Sequence, residues 1–265
     1  MININTNSID LILINNKENN NVNKELYRVL KPGGYLFGID KPHKSHNSVC
    51  DIEDIGFIIK DSISYFFKEN EDVKQDVICL AMKPLSEKNF AENVMKWGTG
   101  GLNIGKTRIK IRDDVNLDSL QKNFNSMGYD GSYTCIENIN KYNSEGRFPS
   151  NFIISEDIAP VLDEQSGTLS AGHWSKTKTT GFGEFGNGKS EYLGVGRKSE
   201  TGGASRYFYN AKSYKDLLRY ITILGLPPKD SKVLFIGFDN VDEIIEEINR
   251  DSNVSYEAIT IGGIE

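Results

Sequence analysis

The chain has 265 residues, a formal net charge of −6, and 38% hydrophobic and 10% aromatic residues. This length fits one large domain or a domain with a sizeable insertion, and the aromatic content together with mixed charges argues against a globally disordered chain. The sequence has neither the run of about 18 apolar residues that a membrane span needs nor a basic start followed by an apolar run, so we expect no membrane segment and no secretion.

Strands and helices alternate over residues 1–85, which predicts an α/β layer fold. Residues 9–14 (IDLILI) form a continuous apolar run, typical of a strand that is buried on both faces of a parallel sheet. The elements predicted after it are a helix over 22–30 that ends at Pro32-Gly33-Gly34, a strand over 35–39, a surface loop containing Lys41, His43, Lys44 and His46, a helix over 49–55 with Gly56 as C-cap, and strands over 57–67 and 76–82.

The pattern changes between residues 86 and 212, where glycine is frequent and long apolar runs are rare. A loop-rich stretch of this length inside a compact domain is either functional or partly disordered, and strand-like islands such as residues 151–155 remain in it. The α/β pattern then returns with a helix over 214–224, a strand over 232–237, a helix over 241–249 and a strand over 256–261. We therefore divide the chain into 1–85, a first α/β half; 86–212, an insert; and 213–265, a second α/β half.

One segment of this acidic chain is basic. Residues 171–220 contain nine Lys or Arg against four Asp or Glu, whereas residues 221–265 contain three against nine. Positive charge interleaved with aromatic side chains suits the phosphates of DNA, although ordinary solvated surface charge gives the same pattern. The candidate DNA-binding residues are Arg147, Lys176, Lys178, Lys189, Arg197, Lys198 and Arg206.

The sequence offers no metal site. Its three histidines and its three cysteines (Cys50, Cys79 and Cys135) lack the spacing of metal ligands. We expect the cysteines to be reduced thiols.

Seven phrases occur in order along the chain: RVLKPGG (28–34), IEDIGF (52–57), MKPLSE (82–87), AENVMKWGTGGLNI (91–104), GRFPSNFI (146–153), VLDEQSG (161–167) and ASRYFYNAK (204–212). Together they resemble the circularly permuted, beta-type DNA adenine/cytosine amino-methyltransferases of phages and prophages. The resemblance implies a Rossmann-like methyltransferase sheet, reduced and in permuted order, with residues 86–212 as a target-recognition insert. It also implies that residues 9–14 form the catalytic strand, and that residues 232–237 and 256–261 form the strands that bind S-adenosylmethionine.

The same resemblance implies a degenerate catalytic side. In the family, a D-P-P-Y type phrase follows the catalytic strand: an acid, Asn or Ser and a backbone carbonyl accept the hydrogens of the target amine, and the aromatic ring stacks on the flipped base. The corresponding residues here are Asn15, Asn16, Lys17 and Glu18, of which Asn15 could still accept one hydrogen bond, while the prolines and the aromatic ring are absent.

The donor side departs from the family in a similar way. A D-P-F-x-G-S-G type loop of the family corresponds to residues 234–243 (LFIGFDNVDE), which keep one glycine. We expect the side chains of Phe238, Asp239 and Asn240 to crowd the donor. The vestigial cofactor-binding candidates are Gly237, Asp239 and Glu265.

These departures predict a catalytically inactive, methyltransferase-like protein of phage origin that needs no cofactor. Its partner would be duplex DNA or another protein chain, such as a virion component or an active methyltransferase subunit. Its location would be the cytoplasm of a bacterial host or a virion. The alternative is an active, site-specific DNA amino-methyltransferase that uses S-adenosylmethionine.

Overall fold

The structure is a computed structural model that describes residues 3–16, 24–110, 124–127, 133–136, 146–171, 200–227, 229–250 and 255–261. Its strands are β1 (Ile9–Asn15), β2 (Leu30–Asp40), β3 (Ile58–Glu69), β4 (Asp72–Met82), β5 (Phe124–Met127), β6 (Tyr133–Ile136), β7 (Phe152–Ser155), β8 (Leu169–Ala171), β9 (Glu200–Gly202), β10 (Tyr209–Ala211), β11 (Ser231–Ile236) and β12 (Tyr256–Ile261). Its α-helices are α1 (Lys24–Val29), α2 (Pro42–Ile55), α3 (Phe90–Trp97), α4 (Ala159–Ser166), α5 (Tyr214–Gly225) and α6 (Val241–Arg250).

An eight-stranded mixed sheet organises the fold, in the order β10-β7-β3-β4-β2-β1-β11-β12. Only β4 of this sheet runs antiparallel to its neighbours, β2 and β3, and every other pairing is parallel. The chain leaves β1 toward β2 on one side, and it leaves β11 toward β12 on the other. The sheet therefore has a topological switch point between β1 and β11.

Apolar side chains cover both faces of the central strands. Leu11 and Leu13 of β1 belong to a core that includes α5 and α6, whereas Ile12 and Ile14 belong to a core that includes α1 and α2. Successive residues of a strand point to opposite faces, so the uninterrupted apolar run of β1 follows from burial on both sides. The predicted α/β class is confirmed, while the permuted order remains a prediction.

Most predicted elements are confirmed, with small shifts at their ends. The strands over 9–14, 232–237 and 256–261 are β1, β11 and β12, and the helices over 214–224 and 241–249 are α5 and α6. Gly56 caps α2 with a left-handed φ of 111°. Of the predicted helix over 22–30, the structure describes Lys24–Val29 as α1.

The predicted loop around His43 and His46 is wrong, because these residues lie in the first turns of α2. Pro42 sits at the start of this helix, where its fixed φ suits the helix and its missing N–H costs nothing. The polar residues that flank Pro42 favour a loop, but the preference of proline for the first turn of a helix outweighs them here.

The predicted helix ends before Pro32-Gly33-Gly34, but the strand predicted over 35–39 begins earlier, because β2 starts at Leu30 and runs through this segment. The N–H of Gly33 donates to the carbonyl of Lys83 (2.9 Å), and the N–H of Lys83 donates to the carbonyl of Gly34 (3.0 Å). The pairing of β1 with β2 shifts register between Ile9 and Leu11. The segment is therefore an irregularity within a paired strand.

Helix α3 holds the Pro-Gly-Gly segment from outside the sheet. The buried Asn93 donates its amide to the carbonyls of Pro32 and Thr99, each at 2.9 Å, and accepts from the N–H of Ser86 at 3.2 Å. A Cβ at Gly33 would lie 2.5 Å from Asn93 Nδ2, and Gly33 has a φ of 77°. This contact therefore requires glycine at position 33.

Two strands of the predicted insert lie in the main sheet. Strand β7 pairs with β3 (Ser64 with Phe152), and β10 pairs with β7 (Tyr209 with Ile153). The strands β5 and β6, and likewise β8 and β9, form separate antiparallel pairs. The division at residues 85 and 212 remains a prediction, and the segment between them contributes one edge of the sheet.

No helix within the described residues is long and apolar enough to cross a membrane.

Candidate functional site

The candidate site lies where β1 and β11 end side by side. The last residues that the two strands pair with each other, Ile14 and Ile236, are parallel neighbours. In open α/β sheets, ligands bind outside the carboxyl ends of the strands at a topological switch point. Asn15 and Gly237, which the sequence singles out, follow these two residues and are in contact.

The Asn15 side chain spans the switch point. Its amide Nδ2 donates to the carbonyl oxygen of Gly237 at 3.1 Å. This hydrogen bond links the end of β1 to the first residue after β11. The Asn15 amide is thus directed at the neighbouring strand end.

Asn16 is held inside the protein by the end of β2. It is buried, and its Nδ2 donates to Asp40 Oδ2 at 3.0 Å. Ser48 of α2 donates its hydroxyl to the other oxygen of this buried carboxylate at 3.0 Å. A Cβ at Gly38 would lie 3.2 Å from Asn16 Nδ2, so the small residue at 38 gives the amide room.

Sequence reasoning missed Asp40 and Ser48 as members of this cluster. The available signal was an acidic residue directly after the predicted strand over 35–39, at the same edge of the sheet as Asn15. Asn16 Oδ1 is buried and has no hydrogen-bond partner among the described atoms.

Two residues of the loop after β11 have a left-handed backbone conformation, and only one of them is a glycine. Gly237 has a φ of 71°, and Asn240 has a φ of 55°, in the left-handed region where asparagine is tolerated better than most residues. The N–H of Gly237 donates to the carbonyl of Ile261 at 3.1 Å. The turn is therefore tied to the end of β12.

The expectation that Phe238 crowds this loop is wrong, because its side chain is only 7% exposed and packs into the core. Its ring meets the Phe235 ring edge to face, with the centroids 6.1 Å apart. Asp239 and Asn240 are exposed, as expected of side chains on the outer side of the loop.

Carboxylates surround the N-terminus of α6, which follows this loop. Asp242 and Glu243 lie in the first turn of the helix, and the exposed Asp239 precedes it. Lys215 of α5 bonds Glu243 at 2.9 Å and Glu247 at 2.7 Å. Negative side chains offset the partial positive charge of a helix N-terminus, which makes this end a poor site for an anion.

Two of the predicted DNA-binding residues meet around one tyrosine. The guanidinium carbons of Arg147 and Arg206 lie 4.9 Å and 4.4 Å from the centroid of the Tyr207 ring. Arg147 also donates to the carbonyl of Arg206 at 3.2 Å, and Arg206 donates to the carbonyls of Gly202 and Gly203. Both guanidinium groups thus hold the segment around Tyr207 in place, and their role in DNA binding remains a prediction.

The other predicted site residues lie outside the described residues. These are Lys17, Glu18 and Glu265 of the methyltransferase-like site, and Lys176, Lys178, Lys189, Arg197 and Lys198 of the DNA-binding set. Within the described part of the chain, no group of three or more His, Cys, Asp or Glu side chains is placed to hold a metal ion.

Two buried ionisable groups have shifted pKa values and structural roles. Burial lowers the pKa of Lys83 to about 8, and its ammonium donates to Asn7 Oδ1 and to the carbonyls of Tyr27 and Leu30 at 2.6–2.8 Å. Burial, with a smaller contribution from Asp40, raises the pKa of the Cys79 thiol to about 12.

Comparison with known proteins gives similarity to solved structures only. No protein-family profile matches the sequence, and no curated protein matches it. M1.HpyAVI in complex with SAM is 10% identical, with a TM-score of 0.40 over 96% of this chain and 81% of that chain. The cytosine-N4-specific PvuII DNA methyltransferase is 10% identical, with a TM-score of 0.41 over 99% of this chain and 77% of that chain. Neither similarity, at these scores, indicates a function for this chain.

Proposed function

We propose that this chain is a relative of the DNA amino-methyltransferases that does not transfer methyl groups on its own and that binds duplex DNA. The ancestry is supported by the seven ordered phrases and by the apolar strand β1 at the switch point of a doubly wound sheet.

The observation that carries the proposal is that contacts within the protein fix the two amides at the end of β1 and directly after it. The family's reaction needs an acceptor there for the hydrogens of the target amine, because the lone pair of that nitrogen is delocalised into the base. Here Asn15 Nδ2 donates to Gly237 and Asn16 Nδ2 donates to Asp40, which sets the direction of both amides, and the acceptor atom Asn16 Oδ1 is buried. The backbone that prolines fix in the family is therefore held by side-chain contacts within the protein.

The described residues on the donor side do not fit S-adenosylmethionine. The Asn15 amide crosses from β1 to the carbonyl of Gly237, at the point where a donor would enter between the strand ends. The exposed side chains of Asp239 and Asn240 stand at positions where the family has small residues.

DNA binding is supported by the uneven distribution of charge. The chain carries −6 overall, yet residues 171–220 hold nine basic residues against four acidic ones. A basic segment on an acidic protein gives a local attraction for phosphates without indiscriminate binding by the rest of the surface.

One observation favours a second function, docking to a protein partner. Helix α3 exposes Phe90 and Val94, which lie one turn apart, and Met95, which follows Val94; Phe90 is 49% exposed, Val94 44% and Met95 89%. Clustered apolar exposure of this kind is typical of protein contact surfaces. This function predicts a stoichiometric complex with another chain that forms without DNA and is lost in Met95→Lys.

Two measurements test the proposed function. With labelled S-adenosylmethionine and mixed genomic DNA, we expect methyl incorporation no higher than with heat-denatured protein, in an assay where an active methyltransferase scores positive. In anisotropy titrations, we expect duplex binding that weakens in Lys176→Gln/Lys178→Gln and not in Lys60→Gln/Lys88→Gln, which removes the same charge from exposed positions elsewhere. Methyl transfer above background, or equal binding by both double variants, would contradict the proposal.

A further inference from the structure

Two segments that are distant in sequence enclose a basic cavity of about 440 Å³. One segment is residues 106–110, and the other comprises residues around β10 and the middle of α5. The charged side chains that line the cavity are Lys106, Arg108, Lys110, Arg206 and Arg219. No carboxylate is among the described residues that line it, although the whole chain is acidic.

The floor of the cavity is fixed by buried groups. Thr107, Ile109 and Tyr220 are buried, and the Tyr220 hydroxyl donates to the carbonyl of Thr107 at 3.0 Å. Ile109 exchanges backbone hydrogen bonds of 3.1 Å and 2.8 Å with Arg147. This pairing buries Ile109 and leaves Lys110 exposed next to it.

The walls of the cavity add aromatic surface to the positive charge. The Tyr209 ring stacks on the Tyr220 ring with the centroids 3.8 Å apart, and both residues line the cavity. The Tyr209 hydroxyl donates to Asp216 at 3.0 Å, which fixes this ring on α5. The rings thus form a rigid wall beside cationic side chains.

A second cavity of about 300 Å³ borders the first and shares Lys106, Arg219 and Ile223 with it. Its other lining residues include the apolar side chains of Leu226 and Ile248 and the ring of Tyr256. A ligand held at Lys106 and Arg219 would therefore have a basic pocket on one side and an apolar slot on the other.

We propose that this paired cavity binds a nucleotide, with its phosphates at Lys106, Lys110 and Arg219 and its sugar or base toward the apolar slot. Ammonium and guanidinium groups are the side chains that bind phosphate most strongly, and an aromatic or apolar wall suits the uncharged part of a nucleotide. The nucleotide is either free in solution or one unit of a nucleic acid, since both offer the same chemistry. The site is separate from the ends of β1 and β11 and does not depend on the absence of methyl transfer.

The experiment compares three proteins with two probes. The proteins are wild type, Lys106→Gln/Lys110→Gln, and the matched control Lys60→Gln/Lys88→Gln; all four lysines are exposed, so we expect unchanged unfolding curves. The probes are ADP, followed by calorimetry, and a fluorescein-labelled duplex, followed by anisotropy at several salt concentrations.

For a free nucleotide, we expect ADP to bind wild type and the control alike and to bind the Lys106/Lys110 variant about tenfold more weakly, because two phosphate contacts are lost. For a nucleic acid, the same loss appears with the duplex, and the slope of log affinity against log salt falls by about 2. The proposal is overturned if wild type binds neither probe, or if the Lys106/Lys110 variant binds both as wild type does.

Discussion

The variant Phe238→Ala tests whether the Phe238 ring stabilises the core or obstructs a donor in the loop after β11. In the structure the ring is 7% exposed and lies edge to face on Phe235, so its removal leaves a cavity in the core under α6. Buried Phe→Ala substitutions cost about 3–5 kcal/mol in unfolding free energy, from lost burial and the unfilled cavity. In a chain of this size, that corresponds to a fall in Tm of roughly ten degrees.

The matched control is the same substitution at Phe148, which is 68% exposed. Because little apolar surface is uncovered there, we expect a change within about 0.5 kcal/mol. Urea unfolding followed by tryptophan fluorescence and circular dichroism measures both variants. Equal stability of the two variants would refute the buried placement. A gain of S-adenosylmethionine binding in Phe238→Ala would instead identify the ring as an obstacle to the donor.

Three further predictions concern buried polar groups and thiols. Asn93→Ala removes the hydrogen bond to the buried Thr99 carbonyl and should lower the unfolding free energy by about 2 kcal/mol. Asn93→Asp should be no more stable than Asn93→Ala, because its carboxylate would face the carbonyls of Pro32 and Thr99. A urea midpoint equal to that of wild type in either variant would contradict this. In a Cys135→Ser background at pH 8, Ellman's reagent should label the exposed Cys50 and reach Cys79 only after unfolding, since burial raises the pKa of that thiol to about 12; two fast thiols would contradict it. Burial lowers the pKa of Lys83 to about 8 in the folded protein, so above pH 8 the unfolded chain binds more protons than the folded one. The unfolding free energy of wild type relative to Lys83→Met should therefore rise by about 1 kcal/mol per pH unit between pH 8 and 10. A difference that does not change with pH would contradict this.

The local elements of the fold were predictable because burial leaves a direct trace in the sequence. The run IDLILI lies in β1, and β3 begins two residues after Gly56. The end of β1 could also be located, since Asn15 interrupts the apolar run, and its neighbour in space, Gly237, follows the apolar run of β11.

What could not be predicted depends on contacts between distant segments. Strand β10 pairs with β7, which pairs with β3, and such short strands carry too little pattern to reveal their partners. The burial of Phe238 depends on space beneath the loop that only the packed α6 defines. The basic cavity brings Lys106 and Arg219 together across more than a hundred residues of chain, so neither was singled out from the sequence.

The central claim is that the strand ends at Asn15 and Gly237 hold no methyl donor. Titration of the protein with S-adenosylmethionine in a calorimeter tests this directly, because it needs neither DNA nor catalysis. We expect only heats of dilution up to roughly millimolar donor, which corresponds to a binding free energy weaker than about −4 kcal/mol. A saturable isotherm with a Kd near micromolar, or about −8 kcal/mol, would contradict the account.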